Sequence, residues 1–182
     1  MKASGAQITS FLRDRLQSSV GRHLYGVLGT YRQLERFEAR DLASGRDPGG
    51  RPLPPAVNLN RTLLNRIGDE ELSALVEAEA RQPRSVTHRL ALELDRYLAE
   101  ALQESPLLIL RQLEILLAYG LDLSALRINA TDQRHVLLLL PGNRVGDRII
   151  LFHEAEERFH RTLPQNLIVE NHLWELSDAQ AG

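Results

Sequence analysis

Apolar residues recur at helical spacing near the start of the chain, at Ile8, Phe11, Leu12, Leu16 and Val20. They predict a short amphipathic helix with Ser10 near its start and Gly21 at its end. The run HLYGVL at 23–28 is continuous and predicts a strand or buried segment, after which Gly29 and Thr30 make a turn. Over 31–42, Leu34, Phe37 and Leu42 share one helical face. The glycines and prolines of SGRDPGGRPLPP, at 44–55, break both helix and ladder, so this stretch is a loop long enough to be a flexible or binding element. Alternation in AVNLN at 56–60 predicts a short strand, and helix resumes over 61–67.

The middle of the chain is helical. DEELSALVEAEARQ at 69–82 places acids in the first turn, where the helix dipole favours them, and Pro83 follows its end. Over 86–103, Leu90, Leu94, Leu98 and Leu102 fall four apart in one stripe. Two compact apolar runs follow, LLIL at 107–110 and HVLLLL at 135–140, the second stopping at Pro141 and Gly142. Between them, 113–119 reads as a helix ending at Gly120 and 124–133 as another short one. Continuous apolar runs interleaved with helices are the mark of strands buried on both faces of a parallel sheet. A helical bundle is the competing reading of LLIL and HVLLLL. Beyond Gly146, DRIILFHEAEERFHR predicts an edge strand and charged turns, and 166–176 a terminal strand.

The expected fold class is therefore α/β, a parallel sheet flanked by helices in a single domain over 1–182. Its core spans 21–152, preceded by an N-terminal helix at 1–20 and followed by a short β extension at 153–182. A length of 182 residues suits one domain with one sizeable core. The net charge of −2 gives no global signal of a binder that works by neutralising nucleic-acid phosphates. No apolar run approaches a membrane span, and MKASGAQITSFLRDRL carries no signal-peptide apolar region, which makes cytoplasmic residence the expectation. The absence of cysteine excludes thiolate catalysis, disulfides and Cys-ligated zinc. Lys2 is the sole lysine among 22 basic residues, so Schiff-base chemistry and phosphate cradling by a P-loop lysine both lack their residue. Any nucleotide chemistry here relies on arginine.

The succession AVNLNRTLLNRI, a leucine-striped helix, LLILRQLEILL, a short helix, HVLLLLPG and GDRIILFHEAEERFHR resembles the BrxF-type P-loop proteins of bacterial BREX phage-exclusion systems, over about 21–161. The resemblance implies a small relative of the AAA-type ATPases: a three-layer P-loop NTPase-like fold with a Walker A loop after the first strand and a Walker B acid at the tip of a middle strand. It also implies partners of the BREX type, a large ATPase or an alkaline-phosphatase-like PglZ protein.

A working Walker A loop needs glycines for backbone approach to phosphate, a lysine for the β- and γ-phosphates and a hydroxyl for Mg²⁺. The best match is GVLGTYRQ at 26–33. Gly26 and Gly29 fall at glycine positions, but Tyr31 replaces the close-approach glycine, Arg32 the lysine and Gln33 the hydroxyl. A second register starts the loop within HLYGVLG and leaves it shorter still, and a lone GxxG also marks an ordinary turn. At the Walker B position LLIL is followed by Arg111, Gln112, Leu113 and Glu114. A cation there, unscreened in a partly buried site, opposes Mg²⁺ by ~4 kcal/mol for unit charges ~4 Å apart at intermediate dielectric. Glu114 is a surviving acid or a helix-surface charge.

Other chemistry is weaker. His153, Glu154, Glu156, Glu157 and His160 are ligand types, yet Glu157 stands four after His153 where HExxH requires histidine, so a solvated charged face is the better reading and no metal is expected. No GxSxG elbow occurs, and Ser10, Ser18 and Ser19 fall in the first predicted helix. The proline loop reads as a plain loop or a protein-docking one. The expectation is a non-catalytic, pseudo-ATPase subunit with an interaction or regulatory role in antiphage defence. In it Gly26, Gly29, Thr30 and Arg32 hold at most ATP or ADP without hydrolysis. The competing expectations are a functional ATPase with Arg32 in the lysine role, and a nucleic-acid adaptor using its arginines with Tyr25, Tyr31 and Phe37.

Overall fold

The computed structural model describes residues 1–177, and the end of the expected extension, 178–182, lies outside them. A two-residue strand, β1 (Lys2–Ala3), leads into helix α1 (Gly5–Arg15). Ser4 caps α1 in a reciprocal box: its hydroxyl accepts the Gln7 N–H, and the Gln7 side chain accepts the Ser4 N–H at 2.9 Å. The box sets the start one turn and a half before Ser10, and Ile8 and Leu12 form the buried face. Val20, expected on that face, lies beyond the helix and is exposed.

Strand β2 (Leu24–Gly29) is buried at every position and passes through Thr30 into α2 (Tyr31–Arg36), which continues unbroken as a π-helical stretch, Phe37–Leu42. After the proline loop come β3 (Val57–Asn58) and α3 (Leu59–Ile67), capped by the Asn58 side chain accepting the Arg61 N–H at 2.9 Å. Gly68, at φ 83°, turns the chain into α4 (Asp69–Glu79). Pro83 opens α5 (Pro83–Glu104) from the first turn, where a missing N–H leaves no intrahelical bond unmade. The order then runs β4 (Leu107–Arg111), α6 (Glu114–Ala118), α7 (Ser124–Asn129), β5 (His135–Val145), β6 (Arg148–Leu151), β7 (Arg161–Thr162) and β8 (Leu173–Leu176). Among the described residues no helix is long and apolar enough to cross a membrane.

The main sheet is ordered β1-β8-β2-β5-β4-β3, and every neighbouring pair in it is parallel. Alternate residues of each strand go to opposite faces, and both faces are covered. Leu108, Leu110, Val136, Leu138 and Leu140 pack with α3, α5, α6 and α7, while Ile109, Leu137, Leu139, Val27 and Trp174 pack with α1, α2 and Phe37. This is why LLIL and HVLLLL show no polar alternation. The mostly parallel α/β sheet flanked by helices is as expected; the helical bundle is not what forms.

Two expectations about boundaries change. Strand β5 does not stop at Pro141 and Gly142 but runs through them, leaving the parallel sheet to pair antiparallel with β6. Pro141 lies opposite the last residue of β2, Gly29, where a ladder N–H is no longer required, and its carbonyl accepts the Phe152 N–H at 2.6 Å. The described part of the expected β extension, 153–177, contributes to the main sheet. Its strand β8 lies inside the main sheet between β1 and β2, with Leu173 opposite Gly26 and Trp174 opposite Val27. Trp174 is 2% exposed, and its ring stacks 5.6 Å from Tyr25.

Gly26 is a packing glycine in mid-strand. A Cβ there would stand 2.7 Å from a Leu173 methyl, 2.8 Å from an Ile168 methyl and 3.1 Å from a Leu140 methyl. Overpacking of this kind costs roughly 1–3 kcal/mol, so Gly26→Ala is expected to lower the unfolding free energy by that amount in urea denaturation. An unchanged midpoint would show that these side chains yield without strain.

Candidate functional site at the carboxyl ends of the strands

Ligands of open α/β sheets sit in the crevice beyond the carboxyl ends of the strands. At this edge four connections meet: the one after β2, with Thr30, Tyr31 and Arg32; the one after β3, with Asn60; the one after β4, with Gln112 and Glu114; and the segment after β6, with His153 and Glu154. Hydrogen bonds tie them together. The Glu154 carboxylate accepts the Tyr31 N–H at 2.7 Å. The Tyr31 hydroxyl reaches Glu114 Oε1 at 3.4 Å, and Asn60 Nδ2 donates to Glu114 Oε2 at 2.7 Å. Asn60 Oδ1 in turn accepts the Ile115 N–H at 3.0 Å, and the Asn60 N–H donates to the Gln112 carbonyl at 3.2 Å. Burial, then the charges of Glu114 and Glu154, push the Tyr31 phenol up to about 12, so it stays protonated and acts as a donor.

The residues expected to form a Walker A loop do not assemble as one. Gly26 lies inside β2, three residues before its end, and Gly29 is the last strand residue. Thr30 alone connects strand to helix, and its role is that of an N-cap: Oγ1 accepts the Gln33 N–H at 3.1 Å while Gln33 Oε1 accepts the Thr30 N–H at 2.8 Å. Gln33, read in the sequence as a failed magnesium hydroxyl, is the second half of a capping box. Arg32, on α2, is exposed and makes no hydrogen bond or ion pair among the described residues.

Of the residues expected at a Walker B position, Arg111 ends β4 with its Nε 3.5 Å from Glu38 Oε1, and that Nε is buried without a hydrogen bond. Gln112 takes a left-handed backbone at φ 55°, unusual for a residue with a side chain. Of these, Glu114 enters the network through its side chain, by way of Tyr31 and Asn60, and Gln112 through its backbone carbonyl. Glu154 and Asn60 were not singled out for this edge, and no local pattern marks them, because their partners lie 123 and 54 residues away.

Chemically, the Glu114 and Glu154 carboxylates both already accept hydrogen bonds from the protein. The N-terminus of α2, whose N–H groups would draw an anion, faces the Glu154 carboxylate instead. Glu156 pairs with Arg158, and His160 bonds the Ala155 carbonyl at 3.0 Å. Among the described residues no three His, Asp or Glu side chains gather as metal ligands. No protein family, curated protein or solved structure matches the chain.

A second cluster lies at the opposite end of the sheet. The Tyr25 hydroxyl stands 3.1 Å from His23 Nδ1 and 3.4 Å from His135 Nδ1, so it can donate to one imidazole and accept from the other. All three residues are buried, the two imidazole rings lie 4.3 Å apart, and His172 packs on Tyr25. Burial, opposed by Arg15, pushes the Tyr25 phenol up to about 12.

Proposed function

We propose that the chain is a non-catalytic, P-loop-like subunit that serves as an interaction or regulatory component of a bacterial antiphage defence assembly. The observation that carries the first half is the occupied α2 N-terminus. One residue connects β2 to α2, the N-cap box fixes that corner, and Glu154 supplies the anion that a nucleotide phosphate would otherwise be. An incoming phosphate would meet a like charge at that point, with Arg111 rather than an acid at the tip of β4. The parallel sheet, with its helix directly after β2, is compatible with the P-loop kinship; the defence setting and the partners, a large ATPase or a PglZ-like protein, rest on the BrxF resemblance.

With its sheet edge closed by its own side chains, such a subunit acts through surface complementarity, not turnover. Purified protein incubated with Mg·ATP, alone and together with the products of its neighbouring genes, is expected to release no phosphate above the partners' own rate. Phosphate release that Arg32→Ala abolishes would overturn this reading in favour of a functional ATPase.

A further inference from the structure

The amino ends of β4 and β5, on the side of the sheet away from Glu154, border a cavity of about 570 Å³. That volume is within the range of small-molecule sites, roughly 300–1,000 Å³. Its walls come from the residues that follow α1, the proline loop, the end of α5 and the start of β5. Pro48, Pro52 and Pro106 give it rigid apolar surfaces that lose no side-chain freedom on binding. The loop is held in shape by Asp47, whose carboxylate accepts the Arg51 N–H at 2.8 Å and its Nε at 2.9 Å.

His135 lines this cavity and is 3% exposed. Its Nδ1 faces the Tyr25 hydroxyl, and its Nε2 has no hydrogen-bond partner among the described residues. Burial, then the neighbouring His23, lower its pKa to about 4, so the ring is neutral near pH 7 and offers one polar atom without charge. Gln17 and Gln133 also border the cavity, and neither side-chain amide is bonded within the described chain. A glutamine amide presents a donor beside an acceptor, the pattern that pairs with the N6 and N7 edge of adenine. Asp47 is neutralised by Arg51, so Glu104 leaves the lining acidic and unsuited to phosphate.

We infer that this cavity binds an uncharged nucleobase of the adenine type, its edge hydrogen-bonded by His135 and the two glutamines and its faces against the prolines. The base belongs to a free nucleoside or to a nucleotide splayed out of a single strand. The site is independent of the edge at Glu154, and phosphate release does not report on it.

Adenosine is the first probe, followed by calorimetry and by NMR of the His135 imidazole nitrogens. Saturable binding is expected, with a shift of the His135 signals and affinity at least about tenfold weaker in the double variant Gln17→Ala, Gln133→Ala, both of whose sites are at the surface. Uridine is expected to bind more weakly than adenosine. A single-stranded oligoadenylate that competes with adenosine assigns the base to a strand; failure to compete assigns it to a free nucleoside. Unmoved His135 signals at millimolar adenosine, or a double variant that binds as well as the parent, would overturn the inference.

Discussion

Replacing Glu93 with alanine is expected to destabilise the protein by about 1.5–3 kcal/mol, the range for hydrogen bonds to charged groups, in a network whose arginines each keep a second carboxylate. Glu93 lies midway along α5 with its side chain only 5% exposed. Its Oε1 accepts from Arg66 of α3 at 2.6 Å and its Oε2 from Arg89 at 2.8 Å. Arg66 also pairs with Glu100 at 2.9 Å, and Arg89 Nη2 reaches Glu71 of α4 at 3.1 Å. The network around this carboxylate thus joins three helices, α4 through Arg89 and Glu71. Burial pushes the Glu93 carboxyl up, but hydrogen bonds and charge from Arg89 and Arg66 together outweigh it and hold it below the usual carboxylate range.

Truncation takes the most buried carboxylate from two guanidinium groups that are 30% and 22% exposed, leaving Arg66 with Glu100 and Arg89 with Glu71. Glu93→Gln, which keeps acceptor and volume but not charge, is expected to cost distinctly less. Helix α4 buries no side chain of its own fully, so its attachment leans on Glu71 and on the partly buried Leu72 and Leu75. Glu71→Ala, at a more exposed pair, is expected to cost no more than about 1 kcal/mol and to speed amide exchange in α4 ahead of the rest. Urea unfolding of the three variants decides the matter: a Glu93→Ala loss below about 1 kcal/mol would mean that water screens the network.

The central strands were legible because burial on both faces writes itself as continuous apolar runs, and LLIL and HVLLLL are exactly matched in register, Leu108 to Val136 and Ile109 to Leu137. Strands β1 and β8 were not legible as sheet members. Two and four residues carry too little pattern, and what places LWEL between β1 and β2 is the fit of Leu173 against Gly26, a contact across the whole chain. At the carboxyl edge the local signal was present but took another meaning. The spacing of Thr30 and Gln33 is that of a capping box, a Thr-x-x-Gln pattern that falls inside the stretch resembling a degenerate phosphate loop. Glu114 was visible as an acid after a buried strand, whereas its bond to Asn60 depends on α3 and α6 lying side by side.

Acid is expected to weaken the fold well before the carboxylates protonate, because of the histidines at the amino ends of β2 and β5. Burial lowers the pKa of His23, His135 and His172, and His135 falls from 6.5 to about 4. Asp132 pulls His23 back upward without reversing the shift, and Arg15 adds to the lowering of His172. A histidine with a lowered native pKa is neutral in the folded chain while the unfolded chain takes up a proton near 6.5. The unfolded state therefore binds more protons below that pH, and stability falls as pH drops. For His135 the loss begins near 6.5 and levels off near 4, amounting to roughly 3 kcal/mol; His23 and His172 add to it with the same sign. Protonating His135 also places a charge 4.3 Å, ring to ring, from His23, so the two resist charging together. Glu93, held below the ordinary range, contributes in the same direction but only in the lower window where carboxylates titrate. Unfolding free energies measured between about pH 8 and about pH 5 separate the two: a decline that steepens below about 6.5 follows the histidines, whereas a flat profile down to about pH 5 would remove them as the cause and leave the Tyr25 cluster as ordinary packing.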